Sequence, residues 1–184
     1  MGSVSNNELN NRIYKSLKKV DHDFYIGNID IVHQGTHKGN FYTIEYLFIG
    51  IANDGYATMV IAPQGTTTAH LQIFYSTSGK TYLTTWTDST FSNIGTELIP
   101  FNRNMLSQTN AESKVYVRPV ITNTGTQRGS ALVGSGNNPA AQAGGSGGGR
   151  YETIVPFGEV LMFRVQNKSG SVGDISISFS FYEV

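Results

Sequence analysis

Apolar and polar residues alternate at every second position through much of this chain, most clearly near its end. Ile175, Ile177, Phe179 and Phe181 alternate with Ser176, Ser178 and Ser180, so a strand there buries one face and turns small hydroxyls to the other. Runs rich in β-branched and aromatic residues predict further strands over residues 24–32 (FYIGNIDIV), 42–51, 56–62, 69–75 and 82–87. The series continues over residues 114–121, 151–155, 159–167 and 174–182. Turn signals such as Asn53-Asp54-Gly55 and Ser78-Gly79 punctuate it. No helical period intervenes between these runs, which places the fold in the all-β class. The expected architecture is an antiparallel, jelly-roll-like β-sandwich, not a parallel sheet with crossover helices.

One segment has the helical period. Leu9, Ile13, Leu17 and Val20 fall on one face of a helix over residues 8–20. Lys15, Lys18 and Lys19 sit late in it, where the helix dipole favours positive charge. So short a helix is marginal alone. It therefore needs a surface, on its own domain, on a partner or on a sister chain. The expected organisation is an N-terminal arm or short helix over residues 1–22 and a single sandwich over residues 23–184.

Residues 142–151 read QAGGSGGGRY. A glycine-rich phosphate cradle must open a helix and carry a lysine and a hydroxyl. Here Arg150 runs into Tyr151 and a strand pattern follows, so the phosphate reading fails. A linker reading fails too, because the 34 residues from Tyr151 to Val184 fall below the roughly 40 that an unaided domain needs. The stretch is thus an internal loop. The whole of residues 122–150 reads as one long polar, glycine-rich loop, of the kind that is functional or disordered.

Charge narrows the classes of partner. Thirteen Lys and Arg balance thirteen Asp and Glu, and charged residues make up only 14% of the 184. Nucleic acid and acidic membrane surfaces therefore have no global attraction to act through. A weakly charged, hydroxyl-rich surface is poorly protected against association, which suits a protein that lives assembled. No cysteine is present, so there is neither disulfide nor thiolate chemistry. The N-terminus lacks the apolar core of a signal peptide and the longest apolar run, residues 46–52, is too short to span a membrane. The expectation is a soluble protein made in a cytoplasm.

Chemistry-bearing residues are scattered. His33 and His37 have helical metal-site spacing, but Gly35 and Gly39 argue against a helix there; convergence with His22 or His70 would be needed instead. Hydroxyls abound without a nucleophile signature. Glu45, Asp54, Asp88 and Glu97 stand singly near turns and form no visible acid pair. The expectation is a non-enzyme without metal or cofactor. Trp86 and the ten tyrosines could instead build a sugar-binding surface, since aromatic rings combine apolar area with polar tips.

Four stretches occur in order along the chain: IDIVHQGTHKGNFY, NIGTELIPFNRN, VRPVITNTGT and EVLMFRVQNKSGSVGDISISFSFYEV. Together they resemble a family of small virion structural proteins of tailed bacteriophages, over residues 24–184. The closing Phe181-Tyr182-Glu183 belongs to the most specific piece. The resemblance implies a head decoration, or cement, protein on the outer capsid surface, with the major capsid protein and its own copies, as a homotrimer, for partners. It implies synthesis in the host cytoplasm, residence in the virion, and no catalytic residues. On this reading Leu9, Ile13 and Leu17 contact the capsid or a neighbouring subunit. Gly144, Gly145, Gly147, Gly148, Gly149 and Arg150 do the same from the glycine loop. The alternative is a receptor- or glycan-binding module of a phage tail or head fibre, marked by an exposed aromatic cluster around Trp86, Tyr75 and Tyr82.

Overall fold

A run of alternating residues makes a strand only if a partner takes up its backbone groups, and the pairing decides which face is buried. The computed structural model describes residues 31–133 and 152–184. Within them the chain forms one helix, α1 (Ile31–Lys38), and thirteen strands. Four long strands come first: β1 (Phe41–Ile51), β2 (Tyr56–Ala62), β3 (Ala69–Thr77) and β4 (Thr81–Thr87). A group of short strands follows: β5 (Thr90–Asn93), β6 (Thr96–Leu98), β7 (Phe101–Asn102), β8 (Lys114–Val117) and β9 (Val120–Asn123). Then come β10 (Thr126–Val133), β11 (Thr153–Val155), β12 (Leu161–Asn167) and β13 (Gly173–Glu183). Residues 35–184 make up one compact unit.

All strand pairings are antiparallel. One sheet has the order β11-β3-β13-β1-β7, the other β10-β4-β12-β2-β8-β6, and β5 pairs with β9 apart from both. Among the described residues the chain is thus an all-β, antiparallel sandwich. β1 to β4 take the two sheets in turn, as do β10 to β13; of these eight, the only successive pair that is hydrogen-bonded is β4 with β10.

The inner faces follow the period-2 pattern. On β13, Ile175, Ile177, Phe179 and Phe181 are buried and the serines between them are not. They meet Met59 and Ile61 of β2 and Leu161, Phe163 and Val165 of β12 in one core cluster. The Tyr75 ring of β3 reaches across to Phe163 of β12, with centroids 6.3 Å apart. Each fully buried side chain of this size contributes about 1.5–3 kcal/mol. The last strand is also held at its end, where Glu183 accepts from the backbone N–H groups of Glu112 and Ser113 at 3.1 and 2.7 Å.

Several expectations are corrected. Residues 31–38 are helical, so the expected strand over residues 24–32 gives way to α1 at Ile31; residues 24–30 lie outside the described residues. Gly39 does not oppose this helix but ends it. With φ of +75° it sits where the N–H of Gly39 reaches the Thr36 carbonyl and that of Asn40 the Gly35 carbonyl, both at 3.1 Å. That is a Schellman stop, which glycine favours. A β-carbon at Gly35 would lie 3.3 Å from Asn40 Oδ1 and at ordinary contact distance, 3.4 and 3.5 Å, from Phe41 and Tyr182.

The expected strand over residues 114–121 is two strands, β8 and β9, parted at Arg118-Pro119, where Arg118 takes a left-handed φ of 56°. In the expected loop over residues 122–150, β9 takes residues 122–123 and β10 residues 126–133, and residues 134–150 lie outside the described residues. β10 is an edge strand, largely exposed on both sides, so nothing forces its residues to alternate. The helix expected over residues 8–20 and the glycine run at residues 144–149 lie outside the described residues.

Candidate functional site

The outer face of the six-stranded sheet is built from alternate residues of β4, β12 and β2. Register places Trp86, Met162 and Val60 in one cross-strand row, Thr84, Arg164 and Thr58 in the next, and Tyr82, Gln166 and Tyr56 in the third. Tyr116 of β8 extends the first row beside Val60. Met162 and Val60 are both 0% exposed, yet neither belongs to the inner core cluster. The face thus has an apolar floor of its own between Trp86 and Tyr116, and its more open corner is Tyr56, 45% exposed.

Arg164 occupies the centre of this array. Its guanidinium carbon stands 3.8 Å from the centroid of the Tyr56 ring, a cation–π contact. Burial pushes its pKa below the usual arginine range, with the Tyr56 hydroxyl acting in the opposite sense. Its Nε is buried without a hydrogen-bond partner, as is the Nε1 of Trp86. Among the described residues it forms no ion pair. Arg128 differs in both respects. That side chain is anchored by Asp88 at 3.8 Å and by Thr87 Oγ1 at 2.8 Å, beside a cleft of about 530 Å³ between β4 and β11.

A second surface is chiefly apolar, with the exposed Arg103 its one charged residue. The segment from Ile99 to Leu106 holds four exposed large apolar residues, Ile99 at 84%, Phe101 at 55%, Met105 at 84% and Leu106 at 95%. It is held rigidly despite this. Asn102 Nδ2 donates to the carbonyls of Gly39 and Thr109 at 2.8 and 2.9 Å, and Asn104 Nδ2 donates to the His37 carbonyl at 3.2 Å. The oxygens of the same two amides accept from the N–H groups of Asn104 and Leu106 at 2.9 and 3.0 Å. A stiff loop of this kind presents apolar area at little entropic cost on binding.

The residues singled out in the sequence distribute unevenly over these surfaces. Trp86 and Tyr82 do share one outer face, but Tyr75 points into the core. Tyr56, Tyr116 and Arg164 complete the cluster, and cross-strand register alone brings them there, which sequence spacing cannot show. Leu9, Ile13, Leu17, Gly144, Gly145, Gly147, Gly148, Gly149 and Arg150 lie outside the described residues. His33 and His37 fall on α1. Among the described residues no group of three or more His, Cys, Asp or Glu could hold a metal ion. The four carboxylates each have a separate local partner: Glu45 accepts from Ser176 at 2.6 Å, Asp54 pairs with Lys168, Asp88 with Arg128 and Glu97 with Lys114.

One polar cluster was not foreseen. Tyr182, His70 and Glu152 meet on the outer face of the five-stranded sheet, with the Tyr182 hydroxyl 2.9 Å and a Glu152 oxygen 3.2 Å from His70 Nδ1. Burial, then the Glu152 contact, pushes the Tyr182 pKa up to about 12. The three residues lie far apart in sequence, and only the pairing of β3 with β13 and β11 unites them.

Comparison with protein-family models, with curated proteins and with solved structures yields no match.

Proposed function

We propose that this chain is a non-enzymatic structural protein of a tailed-phage virion, a head decoration protein bound to the outer capsid surface as a homotrimer. The observation that carries this reading is the rigid loop from Ile99 to Leu106, whose four exposed apolar side chains suit a surface that is covered in use. Zero net charge supports the same conclusion, as does the resemblance of the four stretches to virion structural proteins. The strand orders β11-β3-β13-β1 and β10-β4-β12-β2, in which every step along the chain except β4 to β10 changes sheet, we read as the two interleaved Greek keys of a jelly roll. A trimer matches the three-fold positions of a capsid and turns weak contacts into avidity. Leu9, Ile13 and Leu17, and the glycine loop before Tyr151, remain part of the proposed contact.

Quantitative mass spectrometry of purified virions tests this. Copy number in proportion to the major capsid protein is expected. A handful of copies per particle would shift the assignment to a fibre or tail, and absence from the particle would overturn it.

The aromatic outer face around Arg164 favours a second reading, a glycan-binding module. Retention of the protein on host cells, lost when Trp86 and Tyr82 are replaced, would support that reading.

A further inference from the structure

Apolar side chains held in water on a stiff loop, and an apolar cleft left open elsewhere on the same chain, call for one explanation. The loop from Ile99 to Leu106 is the first of these. The cleft of about 530 Å³ between β4 and β11 is the second, lined on its apolar side by Ile154, Pro156, Val160 and Leu161. Ile154, and Phe157 next to Pro156, are 58% and 57% exposed. We propose that the loop of one copy docks in the β4–β11 cleft of the next, and that three such contacts close the homotrimer. Met105 and Leu106 are the side chains that enter the cleft. The inference rests on the homotrimer of the proposed function and names its joint.

Charge and position select a second copy as the occupant. Arg103 on the loop is exposed and forms no ion pair among the described residues. The cleft carries two acids, Asp88 and Glu159, and one base, Arg128, for a net charge of −1 against the loop's +1. Asp88 is already paired with Arg128, so the exposed Glu159 is the acid left for Arg103. The five-stranded sheet runs β11-β3-β13-β1-β7. The loop, which contains β7, and the cleft, walled by β11, therefore stand at its two opposite edges. Register puts them near the same end: Ile154 is level with Tyr182 and Phe41, and Phe101 with Thr43, two residues further along β1. Four strand spacings, roughly 19 Å in all, keep a chain from filling its own cleft. Two different, complementary patches on opposite edges make a head-to-tail contact, which closes into a ring when the rotation allows. A two-fold dimer would need one self-complementary patch instead, and a small molecule in the cleft would leave the loop uncovered. The closed ring is what meets the capsid, so particle attachment depends on the loop through avidity.

The chain has no cysteine, so a thiol pair can be placed without interference. Met105→Cys and Ile154→Cys in one full-length chain, treated with a short bismaleimide, should give covalent dimers and trimers on a denaturing gel and nothing larger. Either single variant should give neither. Native mass spectrometry of the parent chain should show a trimer. Arg103→Glu or Glu159→Lys should weaken that trimer at least ~10-fold, because like charges then meet at the joint. The two changes together should restore it, a rescue that misfolding cannot mimic. Cross-linking by Met105→Cys alone would mean that loop meets loop, and overturns the proposal. A trimer whose cysteine pair stays unlinked overturns it as well but leaves the homotrimer standing, whereas a monomeric parent overturns joint and homotrimer together. Neither result touches residence in the virion, which copy number decides.

Discussion

Two glycines show how closely single residues are specified. Asn93-Ile94-Gly95-Thr96 and Asn123-Thr124-Gly125-Thr126 share one pattern, and both fold alike. In each the asparagine oxygen accepts from the glycine N–H, at 2.8 and 2.9 Å, and the glycine takes a positive φ of 104° and 78°. A β-carbon at Gly95 would fall 2.2 Å from the Val117 carbonyl oxygen, and one at Gly125 would fall 2.1 Å from that of Thr87. Gly125→Ala or Gly95→Ala therefore combines a disfavoured φ with a backbone clash. Each should destabilise by more than ~1 kcal/mol, read as a lower urea midpoint. Glu183 is the other case. Its carboxylate takes both the Glu112 and Ser113 N–H groups, and Glu183→Gln can satisfy only one of them. The cost should be about 1–3 kcal/mol, with an unchanged denaturant slope, whereas an unchanged midpoint would remove Glu183 from the account of how the last strand is held.

Elements differ in how far local pattern decides them. β13 was legible because one face is core and the other serine, so its alternation is written in full. β10 was not, since among the described residues it is an edge strand paired only with β4, which lets polar residues stand on both sides. α1 was misread because Gly39 is a stop signal whose meaning depends on the bonds from Gly39 and Asn40 back to Thr36 and Gly35. β11 is only three residues long and depends on side chains for support. The Glu152 carboxylate just before it meets His70 and Tyr182. Tyrosine ordinarily titrates near 10, and Tyr182 is held up to about 12 by burial and by Glu152. The folded state thus keeps this proton when the unfolded chain has lost it. Its stabilising contribution is complete below about pH 10 and disappears as pH rises from there through about 12. Tyr42, Tyr75 and Tyr116 are raised as well, chiefly by burial, so Tyr182→Phe should make the alkaline loss of stability shallower without abolishing it. Urea midpoints at pH 9 and pH 11, about one unit either side of the ordinary tyrosine value, measure this; an identical decline in both proteins would refute the Tyr182 assignment.

At the scale of the whole molecule, the fold class was open to sequence reading and the surfaces were not. Period-2 runs declare a two-faced strand, but which residues of different strands stand side by side depends on pairings that link distant parts of the chain, as Tyr182 with His70 or Arg164 with Thr58. The apolar loop shows the same limit. Ile99, Phe101, Met105 and Leu106 look like core residues in sequence, and only the amide anchors of Asn102 and Asn104 explain why they face outward. Because these side chains contribute so little to the core, changing Ile99, Met105 and Leu106 together to serine should leave the unfolding midpoint nearly as it was, within ~0.5 kcal/mol per site. Assembly should respond quite differently. The triple variant should lose attachment to particles stripped of the protein, followed by co-sedimentation, since three hydrophobic anchors are removed at once. Unimpaired co-sedimentation of the folded variant would exclude this loop as the attachment surface and turn the search to residues 8–20. A large fall in the unfolding midpoint would instead mean that the loop belongs to the core of the subunit after all.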